Sequence, residues 1–248
     1  MFLTERKPEK VYDVNADIVF LVDSSTSVGE ENFGKLKDFV SNVARSLNLA
    51  HARSRVAVIL FSSYAQLAIG FSDHSTMLTF KEDVDKLSLV GGSRRIDRAL
   101  DAAVTLLGNV PSDRPKVVIM LTAGKQDSGF SNTLANAGAP LHTMRAQTYV
   151  VAIGREPDVL ELRPVYRFDS NLFVVSPFAS LEPRTRPIAE HIAERTGENY
   201  ISDMLLAIVY NSFALSNQFD TSYRLKGLSR KMCQFHCNGL FRLTDSFR

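Results

Sequence analysis

The sequence has no tryptophan, two cysteines among 248 residues, and a net charge of only +2. Each shortage closes off a class of protein. Cys233 and Cys237 stand four apart near the C-terminus, so a disulfide between them would close a very short loop and leave the rest of the chain unconstrained. His236 lies between them, but two thiols and one imidazole without a further pair fall short of a zinc site. His51, His74, His142 and His191 are scattered and show no zinc spacing. The 29 basic and 27 acidic residues nearly cancel, and no Lys/Arg block interleaves with aromatics, so no nucleic-acid partner is expected. The longest apolar stretch, Met204–Tyr210 with its flanks, is shorter than the roughly 20 residues a bilayer span needs, so no membrane insertion is expected. The opening MFLTERKPEK has no apolar core and does not read as a secretory signal. A P-loop and a G-x-S-x-G nucleophile elbow are also missing, which leaves nucleotide binding and serine hydrolysis without their usual framework.

What the chain does have is 45% apolar residues arranged in short runs. Ile18–Val22, Arg55–Phe61, Lys116–Thr122 and Thr148–Gly154 are apolar on both faces and of strand length. Ala65–Phe71 reads as an edge strand and Asn171–Val175 as a short final one. Between them, Asn32–Leu47 and Arg95–Leu107 repeat apolar residues at helical spacing, and Phe80–Leu87 reads as a shorter helix. Asn132–Met144 reads as a helix interrupted near Gly138-Ala139-Pro140, and Leu181–Arg195 as a last helix loosened at its start by Pro183 and Pro187. Buried strands alternating with amphipathic helices imply an α/β fold: a three-layer α/β/α Rossmann-like domain with a mostly parallel central sheet. The pattern places this domain at 13–199, after a polar lead-in at 1–12. A C-terminal extension at 200–248 follows, in which 201–215 is apolar enough to form a helix against the domain or an extra exposed surface.

One segment concentrates oxygen chemistry. The first strand runs into Asp23, followed by Ser25 and Ser27 in a D-x-S-x-S pattern. In an open α/β sheet the carboxyl ends of the strands are where ligands bind. A carboxylate and two hydroxyls are hard oxygen donors of the kind Mg²⁺ takes. The same residues also suit plain capping of the following helix. A second feature is the run Gly91-Gly92-Ser93-Arg94-Arg95-Ile96-Asp97, which opens a helix with arginines. Cations there oppose the helix dipole, which points to pairing with acids or with an acidic partner through Arg94, Arg95 and Arg98.

Five blocks in order, D-I-V-F-L-V-D-S-S-T-S-V-G-E-E-N-F, R-V-A-V-I-L-F-S, G-G-S-R-R-I-D-R-A-L, V-V-I-M-L-T-A-G and Y-V-V-A-I-G, resemble the von Willebrand factor type A domain, also called the integrin I domain. The first block is similar to the matrilin and collagen VI type. The resemblance implies a metal-ion-dependent adhesion site built from D-x-S-x-S, a threonine in a G-G-x-T-x-T-G loop and the aspartate of T-D-G. Here Asp23, Ser25 and Ser27 match. Arg94 stands where the threonine belongs, with Ser93 able to replace it only if the loop shifts by one residue. Ala123 stands where the aspartate belongs, and Asp127 is nearby but off position. The implied site is therefore degenerate. It holds either no metal or a weakly bound Mg²⁺, or it is filled by an Arg94–Asp23 ion pair, since one carboxylate compensates Mg²⁺ poorly and a guanidinium is permanently charged.

The resemblance implies a non-enzymatic protein-binding module of an extracellular matrix protein. Its partners would be collagen or another matrix component, or its own kind. An intracellular scaffold and a purely structural matrix block with an inactive face stand as alternatives. The lack of a signal in this stretch leaves both an intracellular location and a fragment of a secreted chain open.

Overall fold

The computed structural model describes residues 11–48, 54–74, 76–110, 112–129, 133–154 and 158–196. All belong to one unit of the chain, Met1–Ile201. The expectations for residues 1–10 and 200–248, including Cys233, His236 and Cys237, lie outside the described residues.

Six strands form one sheet: β1 (Asp17–Asp23), β2 (Arg55–Phe61), β3 (Ala65–Ile69), β4 (Lys116–Thr122), β5 (Gln147–Ile153) and β6 (Leu172–Val175). Their spatial order is β3-β2-β1-β4-β5-β6, and only β3 runs antiparallel to its neighbour. From β1 the chain builds outward to β2 and β3, then returns to the other side for β4, β5 and β6. The switch point therefore falls between β1 and β4, and a crevice opens there beyond their carboxyl ends.

The alternation within β1 explains the two outer layers. Ile18, Phe20 and Val22 face one core, with Phe33, Leu36, Phe39, Val40 and Val43 of helix α1 (Glu30–Ser46). Phe80 and Val84 of α2 (Met77–Lys86) join the same core. Val19 and Leu21 face a second core, with Ile96, Ala99, Leu100, Ala103 and Leu107 of α3 (Ile96–Asn109). Leu134, Ala137 and Leu141 of α4 (Leu134–Thr143) complete it, with Leu162 of the short α5 (Val159–Leu162). The last helix, α6 (Thr185–Thr196), covers the first face with Ile188, Ala189 and Ile192. All seven residues of β1 are buried, as a central strand covered on both sides requires.

Two local expectations need correction, and one element is new. Helix α4 is continuous through Pro140. Pro140 is exposed, while Leu134, Ala137 and Leu141 hold the opposite face on the sheet, so packing overrides the roughly 3 kcal/mol proline penalty. The last helix starts at Thr185, after a 3₁₀ turn at Glu182–Arg184 that accommodates Pro183. Helix α5 was not legible in the sequence. Asp158 caps it by accepting the Glu161 amide at 3.1 Å, but four residues are too few to show a period.

At the amino end of the sheet Asp17 is buried and receives Arg55 in a two-pronged contact, Nε to Oδ1 and Nη2 to Oδ2, both 2.8 Å. Burial alone would raise the Asp17 pKa, but hydrogen bonds from Arg55 and Ser112 and the charges of Arg55 and Arg114 hold it below the ordinary carboxylate value. A lowered folded-state pKa contributes stability that is complete above the unfolded value of about 3.9 and is lost as pH falls towards the folded one. Asp17→Asn should therefore cost about 2 kcal/mol at pH 7, less than the roughly 3–5 kcal/mol of a fully buried pair because Arg55 is partly solvated. The gap between the two proteins in denaturant unfolding should narrow as pH falls below about 3.9, the unfolded carboxyl value. A gap that stays constant from pH 7 to pH 3 contradicts this role for the charge.

Candidate functional site

The crevice at the switch point is formed by three loops: the one after β1, the one entering α3, and the one after β4. Backbone and hydroxyl contacts lock the first two together. Gly91 N–H donates to the Ser24 carbonyl at 2.8 Å and Val90 N–H to Ser24 Oγ at 2.6 Å. Thr26 N–H donates to the Gly92 carbonyl at 3.0 Å, and Gly92 N–H returns a bond to Thr26 Oγ1 at 2.7 Å. Gly92 has φ +93°, and a Cβ there would collide with Ser63 Oγ, so only glycine fits. Ser63 Oγ accepts the Ser93 amide at 2.9 Å and the Ser62 carbonyl accepts the Arg95 amide at 3.0 Å. The two serines after β2, unremarkable turn residues in the sequence, hold the second loop in place.

This scaffold delivers the Arg94 side chain into the centre of the crevice. Its Nε donates to Asp23 Oδ2 at 2.6 Å. Its Nη2 donates to Ser27 Oγ, and its Nη1 to the Lys125 carbonyl at 3.3 Å. The Arg94 side chain is 9% exposed and that of Asp23 is fully buried. Asp127 clamps the Arg94 backbone from both sides: its Oδ2 accepts the Arg94 amide at 2.7 Å, and its own amide donates to the Arg94 carbonyl at 3.0 Å. Gly124 makes room, since a Cβ there would stand 2.8 Å from Arg94 Nη1.

The remaining valences of Asp23 are also taken. Oδ1 accepts the Ser25 amide at 3.0 Å and the Ser25 hydroxyl at 2.6 Å; Oδ2 additionally accepts the Ala123 amide at 2.9 Å. With Arg94 that makes four donors, which saturates a carboxylate's roughly four lone-pair directions. The Thr122 hydroxyl stands 3.5 Å from Oδ2 but gives its proton to the Gly124 carbonyl at 2.7 Å. Ser25 and Ser27 oxygens lie 3.3 Å apart, and Ser27 serves as acceptor for Arg94. A divalent cation needs several oxygen donors with compensating negative charge. Here the oxygens are already engaged and a permanent positive charge sits among them, so this donor set does not suit one. No group of three or more His, Cys, Asp or Glu that could hold a metal occurs among the described residues.

The other candidate residues are dispersed. Ser93 does not replace the threonine. Its amide is tied to Ser63, and no hydrogen bond among the described residues joins its hydroxyl to Asp23, Ser25 or Ser27. The loop has not shifted, because the Asp127 clamp fixes Arg94 at the inward position. Arg94, Arg95 and Arg98 do not form a common surface for an acidic partner. Arg94 is buried; Arg95 grips Asp97 through two bonds of 2.8 and 2.6 Å; only Arg98 is exposed. Burial would raise the Asp97 pKa, yet the Arg95 hydrogen bonds and charge, with help from Arg98, hold it below the usual carboxylate range. The Asp97 amide, at the start of α3, is capped by Gln126 Oε1 at 2.8 Å. Gln126 carried no sequence signal, because its role depends on a contact to a residue 29 positions away.

A von Willebrand factor type A domain model matches residues 17–182. The chain is 28% identical over 182 residues to matrilin-3 of Gallus gallus, an overlap of 70% of this chain and 39% of that protein. It is 28% identical over 160 residues to the collagen alpha-1(XXI) chain of Xenopus laevis, covering 64% of this chain and 16% of that one. The chain thus spans well under half the length of these relatives. Among solved structures, proximal thread matrix protein 1 from the mussel byssus superposes with a TM-score of 0.67 at 23% identity, over 73% of this chain and 48% of that one. A second form of that protein, with a zinc-occupied MIDAS motif, gives a TM-score of 0.66 at 22% identity over the same shares. Those likenesses speak to the fold alone. The domain model covers both the sheet and the Asp23–Arg94 crevice, and the chain belongs to the von Willebrand factor type A domain family.

Proposed function

We propose that this chain is a non-enzymatic protein-binding module of a matrix protein, and that its crevice is a degenerate adhesion site working without a divalent cation. The observation that carries the reading is the Arg94 guanidinium on Asp23 at 2.6 Å, in the middle of the D-x-S-x-S group. A single fixed charge delivered by the chain replaces an exchangeable one. Arg94 spends its donors inward, so a partner's carboxylate has no open cation to join. Binding at this end of the domain then relies on the exposed rim, which includes Thr26, Ser27, Ser63, Lys125 and the half-exposed Tyr64. Acid–base catalysis finds no support in the crevice: the Ser25 hydroxyl donates to Asp23, and no histidine is among the residues bonded there.

The matrilin and collagen relatives support an extracellular matrix setting, with collagen, another matrix protein or a second copy as partner. No helix among the described residues is long and apolar enough to cross a membrane. The sealed crevice also favours a second reading, a structural building block whose upper face is inert.

Calorimetric titration of the full chain with Mg²⁺ and with Mn²⁺ should show no binding. Arg94→Thr combined with Ala123→Asp removes the resident cation and adds a carboxylate, and should create measurable affinity with the fold retained by circular dichroism. Tight binding by the unmodified chain, or none by the folded double variant, contradicts the assignment of these loops.

On an array of immobilised matrix proteins, collagens included, capture should be the same with and without EDTA. Capture abolished by EDTA overturns the metal-free reading. No capture on any spot favours the inert building block.

A further inference from the structure

The opposite end of the sheet carries a second arrangement of arginines. The turn Phe168–Asn171 enters β6, where Asn171 Nδ2 donates to the carbonyl of Thr148 near the start of β5, at the end of the sheet away from the Asp23 crevice. Phe168 is 46% exposed. The Arg195 guanidinium carbon lies 4.8 Å from its ring centroid and that of Arg167 lies 5.6 Å away. Arg163 sits over Tyr166 at 5.0 Å and donates to the Tyr166 carbonyl at 3.0 Å. Arg195 is anchored through its backbone carbonyl, which accepts Gln147 Nε2 at 2.8 Å, and through Nη2, which donates to Ser170 Oγ at 3.2 Å.

The charges here are left over. Asp169, 86% exposed, stands 3.4 Å from Arg163. Among the described residues neither Arg167 nor Arg195 forms an ion pair. Among the described residues, Arg167 spends none of its five N–H donors on a protein acceptor, and Arg195 spends one. A guanidinium laid on an aromatic ring is held in place by cation–π attraction while its in-plane donors stay available. The cost of ordering those side chains is then met on folding and not on binding. Phenylalanine and arginine are also both enriched at the cores of protein–protein interfaces, so an exposed ring flanked by arginines favours a protein partner.

We propose that Phe168, Arg167 and Arg195 form a second docking site, for an acidic protein segment that places an aspartate or glutamate beside an apolar side chain. The carboxylate takes the guanidinium donors, and the apolar group covers the exposed ring. The site shares no residue with the Asp23–Arg94 crevice, so it operates independently of that face.

The test is fluorescence anisotropy of the full chain with a labelled peptide of three Glu-Glu-Phe repeats. A peptide of Glu-Glu-Gly repeats and a heparin fragment run in parallel. The Phe-containing peptide should bind best and more weakly as salt rises. Arg167→Gln with Arg195→Gln should weaken it about thirtyfold or more, the size of one hot-spot loss. Arg98→Gln, which changes an exposed arginine on α3, should leave the affinity within about twofold, the level of a screened distant charge. Circular dichroism and thermal unfolding confirm that each variant is folded. No binding of the Phe-containing peptide overturns the proposal. Equal weakening by Arg98→Gln does so too, as mere charge attraction, as does a preference for heparin or for the Gly-containing peptide. None of these outcomes depends on whether the crevice binds metal.

Discussion

The buried ion pair between Arg94 and Asp23 is the constraint around which the upper end of this domain is organised. Removing both charges from water is costly, and the pair is tolerable only because nearly every valence is met. Asp23 receives Ser25, Ala123 and Arg94; Arg94 reaches Ser27 and Lys125 as well. These contacts draw the loops after β1 and β4 onto the loop entering α3. The auxiliary contacts of Ser24, Thr26, Ser63 and Asp127 make sense as the frame that delivers one side chain to one carboxylate.

That constraint also explains how one fold accommodates a different ligand face. The switch point between β1 and β4 creates a crevice whatever fills it. Arginine at position 94 and alanine at position 123 alter the charge balance in the same direction. One adds a positive charge and the other supplies no negative one, so the crevice is neutral with Arg94 in it. The absence of a Cβ at Gly124 leaves room for the guanidinium. Elsewhere the arginines have other uses: Arg55 closes the amino end of the sheet on Asp17, and Arg167 and Arg195 lie on an exposed ring.

Much of the fold was legible in the sequence because it rests on periodicity. The bounds expected for β2 and β4 are those observed, since Val56–Phe61 and Val117–Leu121 are uninterrupted apolar runs bounded by polar residues. The D-x-S-x-S group located the crevice, and the departures at Arg94 and Ala123 marked it as unusual. What could not be read were roles created by tertiary contact. Nothing local ties Ser62 and Ser63 to the loop entering α3, Gln126 to the Asp97 amide in its first turn, or Asp127 to the Arg94 backbone. Pro140 misled because local propensity argued for a break where a buried apolar face keeps the helix intact. The expected three-arginine surface failed because exposure cannot be read from residue type: two of the three find acids inside the domain.

A double-mutant cycle on the central pair tests this account most directly. Unfolding free energies of the parent chain, Asp23→Asn, Arg94→Met and the double variant would be measured in EDTA, so that no divalent cation contributes. Each single change strands a buried charge and should cost about 3–5 kcal/mol. The double change should cost far less than their sum, with a coupling of about 2 kcal/mol or more. Additive costs, within about 0.5 kcal/mol, would show that Asp23 and Arg94 do not depend on one another and would contradict the account.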